Sequence, residues 1–183
     1  MATVVILHTN DMHGHLTAWT GWEGELKGKR IGGLGRLAGA IAQARKDNDG
    51  EVLLLDAGDL IGYSMIADLT EGKAMIEALN HLKYDALVVG NHEPDFNMET
   101  LRQRSKEAKF PLLAANLVSR EDGKLFTKPY VVKKVNGVAV GILGLAYPKT
   151  ERTTAKKNVE AVTFQDPVPT AKRFLPKMRE DGA

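Results

Sequence analysis

The chain of 183 residues contains no cysteine. That excludes disulfides, thiolate catalysis and cysteine-based zinc sites, and it leaves the redox compartment open. No apolar run approaches the roughly 20 residues that a membrane-spanning helix requires. Charge of one sign is scarce as well: 25 Lys and Arg against 23 Asp and Glu leave a formal net charge of +2. That is too little to predict an anionic polymer or a membrane surface as partner. A basic stripe interleaved with aromatics is missing too, which argues against a nucleic-acid polymer. The amino terminus, MATVVILHT, enters a strand pattern with no basic n-region and no small-residue cleavage site, so it does not read as a signal peptide.

What is present has the balance of a globular domain with a sizeable core, 43% hydrophobic and 26% charged. Strand and helix patterns alternate along it. Residues 4–8 form a short apolar run that predicts a strand buried on both faces. After a loop containing Gly and Trp, the residues Leu34, Leu37, Ala38, Ile41 and Ala44 recur at helical spacing and predict a helix over 33–47. EVLLLDAGD reads as a second buried strand, EGKAMIEALNHLKY as a helix and DALVVG as a third strand. METLRQRSKEAK is again helical, and PLLAAN is a short strand. YVVKKVNGVAVGILGL predicts a hairpin turning at Asn136-Gly137, a pair that supplies the positive φ angles of a type I′ turn. DPVPTAKRFLPKMREDGA predicts a closing helix, kinked at Pro176 and capped by Gly182. Neither repeats nor a low-complexity linker interrupt this order, so a single α/β domain is expected. A strand–helix series should follow its last helix with another strand. The sequence is therefore expected to be the amino-terminal part of a longer protein.

Three of the strands end in residues suited to metal chemistry. The first is followed by Asp11 and His13, within a stretch holding three of the five histidines. The second leads into Asp56 and Asp59, and the third into Asn91, His92, Glu93 and Asp95. In open α/β sheets ligands gather beyond the carboxyl ends of strands, so the three clusters are expected to converge. Carboxylate, amide and imidazole donors without thiolate suit Zn, Mn, Fe or Mg. Gly14, Gly58 and Gly90, one beside each cluster, allow sharp turns and close approach. A single Asp at a strand end more often caps a helix; three such clusters after three strands favour a metal site.

In this order and at these intervals, HTNDMHGHL, DAGD, GNHEPD and AANL resemble the calcineurin-like metallophosphoesterases, and specifically their 5′-nucleotidase branch. The resemblance spans residues 4 to about 147 and implies a layered α/β fold, with β-sheets sandwiched between helices. It also implies hydrolysis of phosphate esters, foremost nucleoside 5′-monophosphates, at a dinuclear metal centre. It assigns Asp11 and His13 to one cation, Asp59 to the bridging position and Asn91 to the other cation. His92 becomes the catalytic histidine beside the leaving group, oriented by Asp95. A bridging position needs an anionic oxygen donor to offset two dications, and two such ions polarise phosphate and activate water. A histidine held by a carboxylate on its other nitrogen is suited to protonate a departing alkoxide. Asn116, in AANL, is read as lining the substrate pocket. The partner implied is a small nucleotide or phosphate ester, and the location implied is periplasmic, extracellular or at the cell surface.

The family also uses three further histidines, one after a later strand and two in a Gly-His-x-His motif. This chain has none after His92. The remainder of the domain and a carboxy-terminal nucleotide-binding domain are thus expected in a longer protein, and this chain alone is expected to bind metal weakly and turn over little. Two readings of the same branch are a 2′,3′-cyclic nucleotide phosphodiesterase and a nucleotide-sugar hydrolase. A reading of another class is a non-catalytic metal-binding fragment or binding module. His8 reads as a hydrogen-bonded strand-end residue, His15 as a loop residue near the site and His81 as a surface residue. Asp56 reads either as an acceptor behind the ligands or as a turn residue. Trp19 and Trp22 either cover the site or pack against the core. GGLGRLAG has the wrong spacing for a dinucleotide fingerprint, and its glycines are expected to let the helix pack closely on the sheet.

Overall fold

The computed structural model describes residues 2–49 and 51–183. The apolar run at the amino terminus forms β1 (Val5–Thr9), followed by a small ribbon of β2 (Trp19–Thr20) and β3 (Arg30–Ile31). Helix α1 (Leu34–Asp47) then returns the chain to β4 (Val52–Asp56). A short α2 (Met65–Leu69) and a longer α3 (Lys73–Leu82) precede β5 (Ala86–Val88), and α4 (Met98–Glu107) precedes β6 (Leu112–Leu113). The rest comprises β7 (Leu117–Ser119), β8 (Tyr130–Val135), β9 (Val138–Leu143), α5 (Thr150–Thr153), α6 (Lys156–Val159), β10 (Val162–Phe164) and α7 (Pro167–Glu180).

Strands β1, β4, β5 and β6 form one parallel sheet in that spatial order, with Leu7 opposite Leu54, Leu55 opposite Ala86 and Leu87 opposite Leu112. Each new strand is added on the same side of the last. Right-handed crossovers therefore carry α1, α3 and α4 to one face. There Ile41, Met75, Ile76, Leu79 and Leu101 meet Leu54 and Leu87 in a continuous buried core. The hairpin of β8 and β9 packs against α7, while β7 pairs antiparallel with β10. Its turn has φ 47° at Asn136 and 78° at Gly137, the two-residue loop that the sequence predicts.

Burial departs from expectation in β1. The strand lies at the sheet edge and alternates between half-buried and exposed positions, with Ile6 51% exposed. An apolar run of five looks the same on an edge strand as in the interior, where β4 has Val52, Leu53, Leu54 and Asp56 buried. The glycines of α1 are also corrected. A Cβ on Gly35 or Gly39 would meet nothing within 4 Å, so these two sit on the open face of the helix. Helix α7 runs through Pro176 without a break, and Gly182 (φ 94°) ends it by donating its N–H to the Arg179 carbonyl. Among the described residues no helix is long and apolar enough to cross a membrane.

Candidate metal centre

The segments after β1, β4 and β5 meet at the carboxyl end of the parallel sheet. Main-chain bonds stitch the first two into a ladder: Asp11 N–H donates to the Gly58 carbonyl (2.9 Å), His13 N–H to Asp59 (3.0 Å) and Gly14 N–H to Leu60 (3.0 Å). Asp11, His13 and Asp59 all adopt positive φ, at 52°, 44° and 56°. Left-handed backbone costs an ordinary L-residue about 1 kcal/mol or more, and it persists where surrounding bonds over-determine it. The ladder supplies those bonds and turns three side chains toward one point.

One donor atom from each of Asp11, His13 and Asp59 lies within 4.8 Å of the others. His13 Nδ1 is 3.3 Å from the Ile61 carbonyl, and His13 Nε2 is 3.6 Å from Asp11 Oδ1. A proton on Nδ1, held by the carbonyl, leaves Nε2 free as a lone-pair donor. Two carboxylates and one imidazole, with the imidazole already oriented, fit a divalent cation such as Zn or Mn. The Asn10 amide donates to the Asp11 carboxylate. Asp59 Oδ1 accepts the N–H of His92 at 3.0 Å, joining the third loop to the first two.

His92 Nδ1 lies 2.7 Å from Asp95 Oδ2, so the two residues assigned to catalysis are paired. The rings of His92 and His13 meet edge to face at 5.0 Å. Asn91 and Asp59 line a cleft of about 380 Å³ together with Asp11, Ala146 and Tyr147. The backbone carbonyl of Asn91 accepts from Thr154 Oγ1 at 2.6 Å, and the carbonyl of Asp95 accepts from Asn158 Nδ2. Short helices α5 and α6 thus brace the third loop, a support that no side-chain pattern announces.

Behind the donors sits Glu93, 2% exposed. Its carboxylate accepts N–H groups from its own loop, at Gly90 (2.6 Å), and from the loop after β4, at Leu60 (2.8 Å), Asp59 (3.1 Å) and Ile61 (3.4 Å). Burial, reinforced by the Asp59 charge, pushes its pKa up to about 7, against those N–H donors. Asp56, also buried, plays the same part on β4, accepting from Thr9 Oγ1 (2.5 Å) and Gly58 N–H (2.9 Å). Burial raises it to about 6. Of the two readings for Asp56, acceptor and turn residue, the structure unites both. Residue type places Glu93 among the metal-type side chains of the third cluster; only the backbone geometry makes it a clamp.

Asn116 is fully buried, and its amide is engaged at both ends. It donates to the carbonyls of Ala146 (2.8 Å) and Gln165 (3.0 Å) and accepts the Ala146 N–H (2.8 Å). It therefore sets the position of Ala146 in the cleft wall. His8 is exposed, and its side chain makes no hydrogen bond among the described residues, contrary to the bonded role expected of it. His15 and Trp19 are exposed and line, with Asp11, Met12 and Thr17, a cleft of about 620 Å³ beside the donors. Trp22, 71% exposed, does not pack into the core.

Gly90 shows how little room the arrangement leaves. A Cβ there would sit 2.2 Å from Asp59 Oδ1 and 2.8 Å from Glu93 Oε2. Gly90→Ala is expected to cost about 2 kcal/mol of stability by overpacking and to weaken cation binding by displacing Asp59. Urea unfolding and Zn²⁺ titration of the variant check this; wild-type values in both would show that the loop yields freely.

Comparison with known proteins places the chain among its relatives. Residues 4–182 match the family model described as calcineurin-like phosphoesterase. Protein UshA of Escherichia coli is 30% identical over 177 residues, covering 97% of this chain and 31% of that protein. A 5′-nucleotidase of Vibrio cholerae is 30% identical over 180 residues, again 97% of this chain and 31% of that protein. The crystal structure of a 5′-nucleotidase precursor from Thermus thermophilus superposes with a TM-score of 0.83 at 29% identity, covering 98% of this chain and 35% of that one. The chain spans about a third of the length of these relatives. The match over nearly the whole chain makes it a member of the calcineurin-like phosphoesterase family.

Proposed function

We propose that this chain carries part of the active site of a metal-dependent phosphate-ester hydrolase acting on nucleoside 5′-monophosphates. The observation that supports it best is the adjacency of the donors Asp11, His13 and Asp59 to the His92–Asp95 pair. Asp11 and His13 would hold one cation, Asp59 would bridge, and Asn91 would serve the second. When bound, the cations supply Lewis acidity toward phosphate and activate water. The protein's own part is then positional and protic. Asp95 takes the Nδ1 proton side of His92, which leaves Nε2 to deliver a proton to the departing oxygen. The Asp59 carboxylate fixes the His92 backbone through its N–H, so the proton donor and the cation donors are held in one frame.

Two donors for the second cation are few, and we propose that further ligands come from polypeptide beyond these residues. The location outside the cytoplasm implied by the family resemblance belongs to the same proposal. Metal analysis and a phosphatase assay, on this chain and on the longest natural polypeptide containing it, test the reading. With Mn²⁺ or Zn²⁺ the longer form is expected to release phosphate from a nucleoside 5′-monophosphate, and this chain to bind metal weakly and release little. A longer form without phosphatase activity, or one confined to cyclic nucleotides or nucleotide sugars, would overturn it.

A further inference from the structure

One aromatic residue at the site has no part in the chemistry described so far. Tyr63 follows Asp59 by four residues and is 74% exposed. Its ring nevertheless meets both site histidines, at 4.9 Å from the His13 ring centre and 4.8 Å from that of His92. It holds this place at φ 54°, in the left-handed region that bulky residues avoid. A ring wanted only for packing would be buried, and a residue wanted only for the turn would be Gly or Asn. Exposure, histidine contact and backbone strain together describe a surface kept clear for something that reaches the histidines.

We infer that Tyr63 is a specificity-determining residue that stacks against the leaving group of the substrate, favouring phosphate esters whose alcohol carries a ring, ribosyl or aryl, over small acyclic alcohols. The inference rests on the proposed role of His92 as proton donor to the departing oxygen. A group bonded to that oxygen lies alongside a ring centred 4.8 Å from the imidazole. Aromatic faces hold flat rings and sugar C–H faces through dispersion and the ring quadrupole, with little dependence on the ring's identity. An acyclic alcohol such as glycerol offers no such face.

The test compares an adenosine 5′-monophosphate and a phenyl phosphate arm with a glycerol phosphate arm, in the longest natural polypeptide with Mn²⁺. Tyr63→Ala is expected to lower kcat/KM for both ring-bearing esters about tenfold and to leave glycerol phosphate within about twofold, with Tyr63→Phe close to wild type. An equal loss on all three esters would assign Tyr63 to the histidines instead and overturn the inference. Tyr63→Gly adds a check on folding: relief of the left-handed strain should leave thermal stability unchanged or raised while the ring preference is lost. A lowered Tm with the preference intact would make the residue structural. A second readout does not depend on turnover. In this chain with Zn²⁺, phenyl phosphate at millimolar concentration is expected to shift the NMR signals of the Tyr63 ring, assigned by loss in Tyr63→Phe, and glycerol phosphate is not. Unmoved Tyr63 signals overturn the inference whether or not anything is hydrolysed; a shifted Tyr63 without phosphatase activity supports it and counts against the hydrolase reading alone.

Discussion

In the longest natural polypeptide containing this chain, His92→Ala is expected to lower kcat about a thousandfold while bound metal stays at the wild-type level. His92 belongs to no donor set; its Nδ1 is engaged with Asp95 at 2.7 Å, and its backbone N–H is bonded to Asp59. Truncation at Cβ therefore removes the proton donor and leaves the N–H contact to Asp59 in place. Asp59→Ala should behave differently. It deletes the one carboxylate that faces Asp11, His13 and the His92 amide together, so metal content and turnover fall as a pair. Metal analysis beside steady-state kinetics separates the two variants. A His92→Ala enzyme that keeps its kcat would sink the assignment of His92, and an Asp59→Ala protein with full metal content would sink that of Asp59.

Glu93→Ala should destabilise the metal-free chain by about 4 kcal/mol, since several buried N–H groups lose their acceptor at once. That is a large share of the roughly 5–15 kcal/mol by which a domain is usually stable. Urea denaturation measures it, and a loss below about 1 kcal/mol would mean that water replaces the carboxylate. The pH dependence has a definite sign. Burial first, then the Asp59 charge, lifts Glu93 from 4.5 to about 7. Between those values the folded chain keeps a proton that the unfolded chain has lost. The stability this group contributes is therefore full below its unfolded pKa and disappears as pH rises through about 7. Asp56, lifted from 3.8 to about 6, acts in the same direction at lower pH. Under chelation, Glu93→Gln should flatten the fall in Tm between pH 5 and pH 8, because the amide stands for the protonated acid throughout. A variant whose Tm falls as steeply as the wild type would show that Glu93 does not titrate in this window.

How far such features were legible in the sequence differs residue by residue. Asp11, His13 and Asp59 stood out because each carries a distinctive side chain at a strand end, and strand ends of a parallel sheet converge by topology. The Asn136-Gly137 hairpin was equally plain, because its turn depends on two residues and nothing distant. Ile6 was misread because exposure at a sheet edge is decided by which strands lie alongside, information that five apolar letters do not hold. Glu93, read among the metal-type side chains, and Asn116, read as lining the substrate pocket, have structural roles that were illegible for another reason. Most of their work is done through backbone N–H and carbonyl groups of residues 30 to 49 positions away, and every residue offers the same backbone groups. Pairings of that kind leave no trace in side-chain pattern. Tyr63 lies in a stretch of mixed apolar letters, and only its positive φ and its two histidine neighbours single it out.

The buried amide of Asn116 has a consequence for how this chain tolerates change in length. By holding Ala146 and Gln165 at once, it pinches the polypeptide at a neck, so that 117–145 and 147–164 leave and return as two closed excursions. The second excursion carries Thr154 and Asn158, which prop the third loop, and is bound to its present size. The first carries the β8–β9 hairpin and supplies none of the donors. The entropy of closing a loop grows only with the logarithm of its length, so residues added within it, away from the Asn136 turn that bonds Glu51 and Thr3, should cost the neck little. Of the two excursions, the first is therefore where insertions can accumulate and new surface can be built while the cleft wall keeps its dimensions.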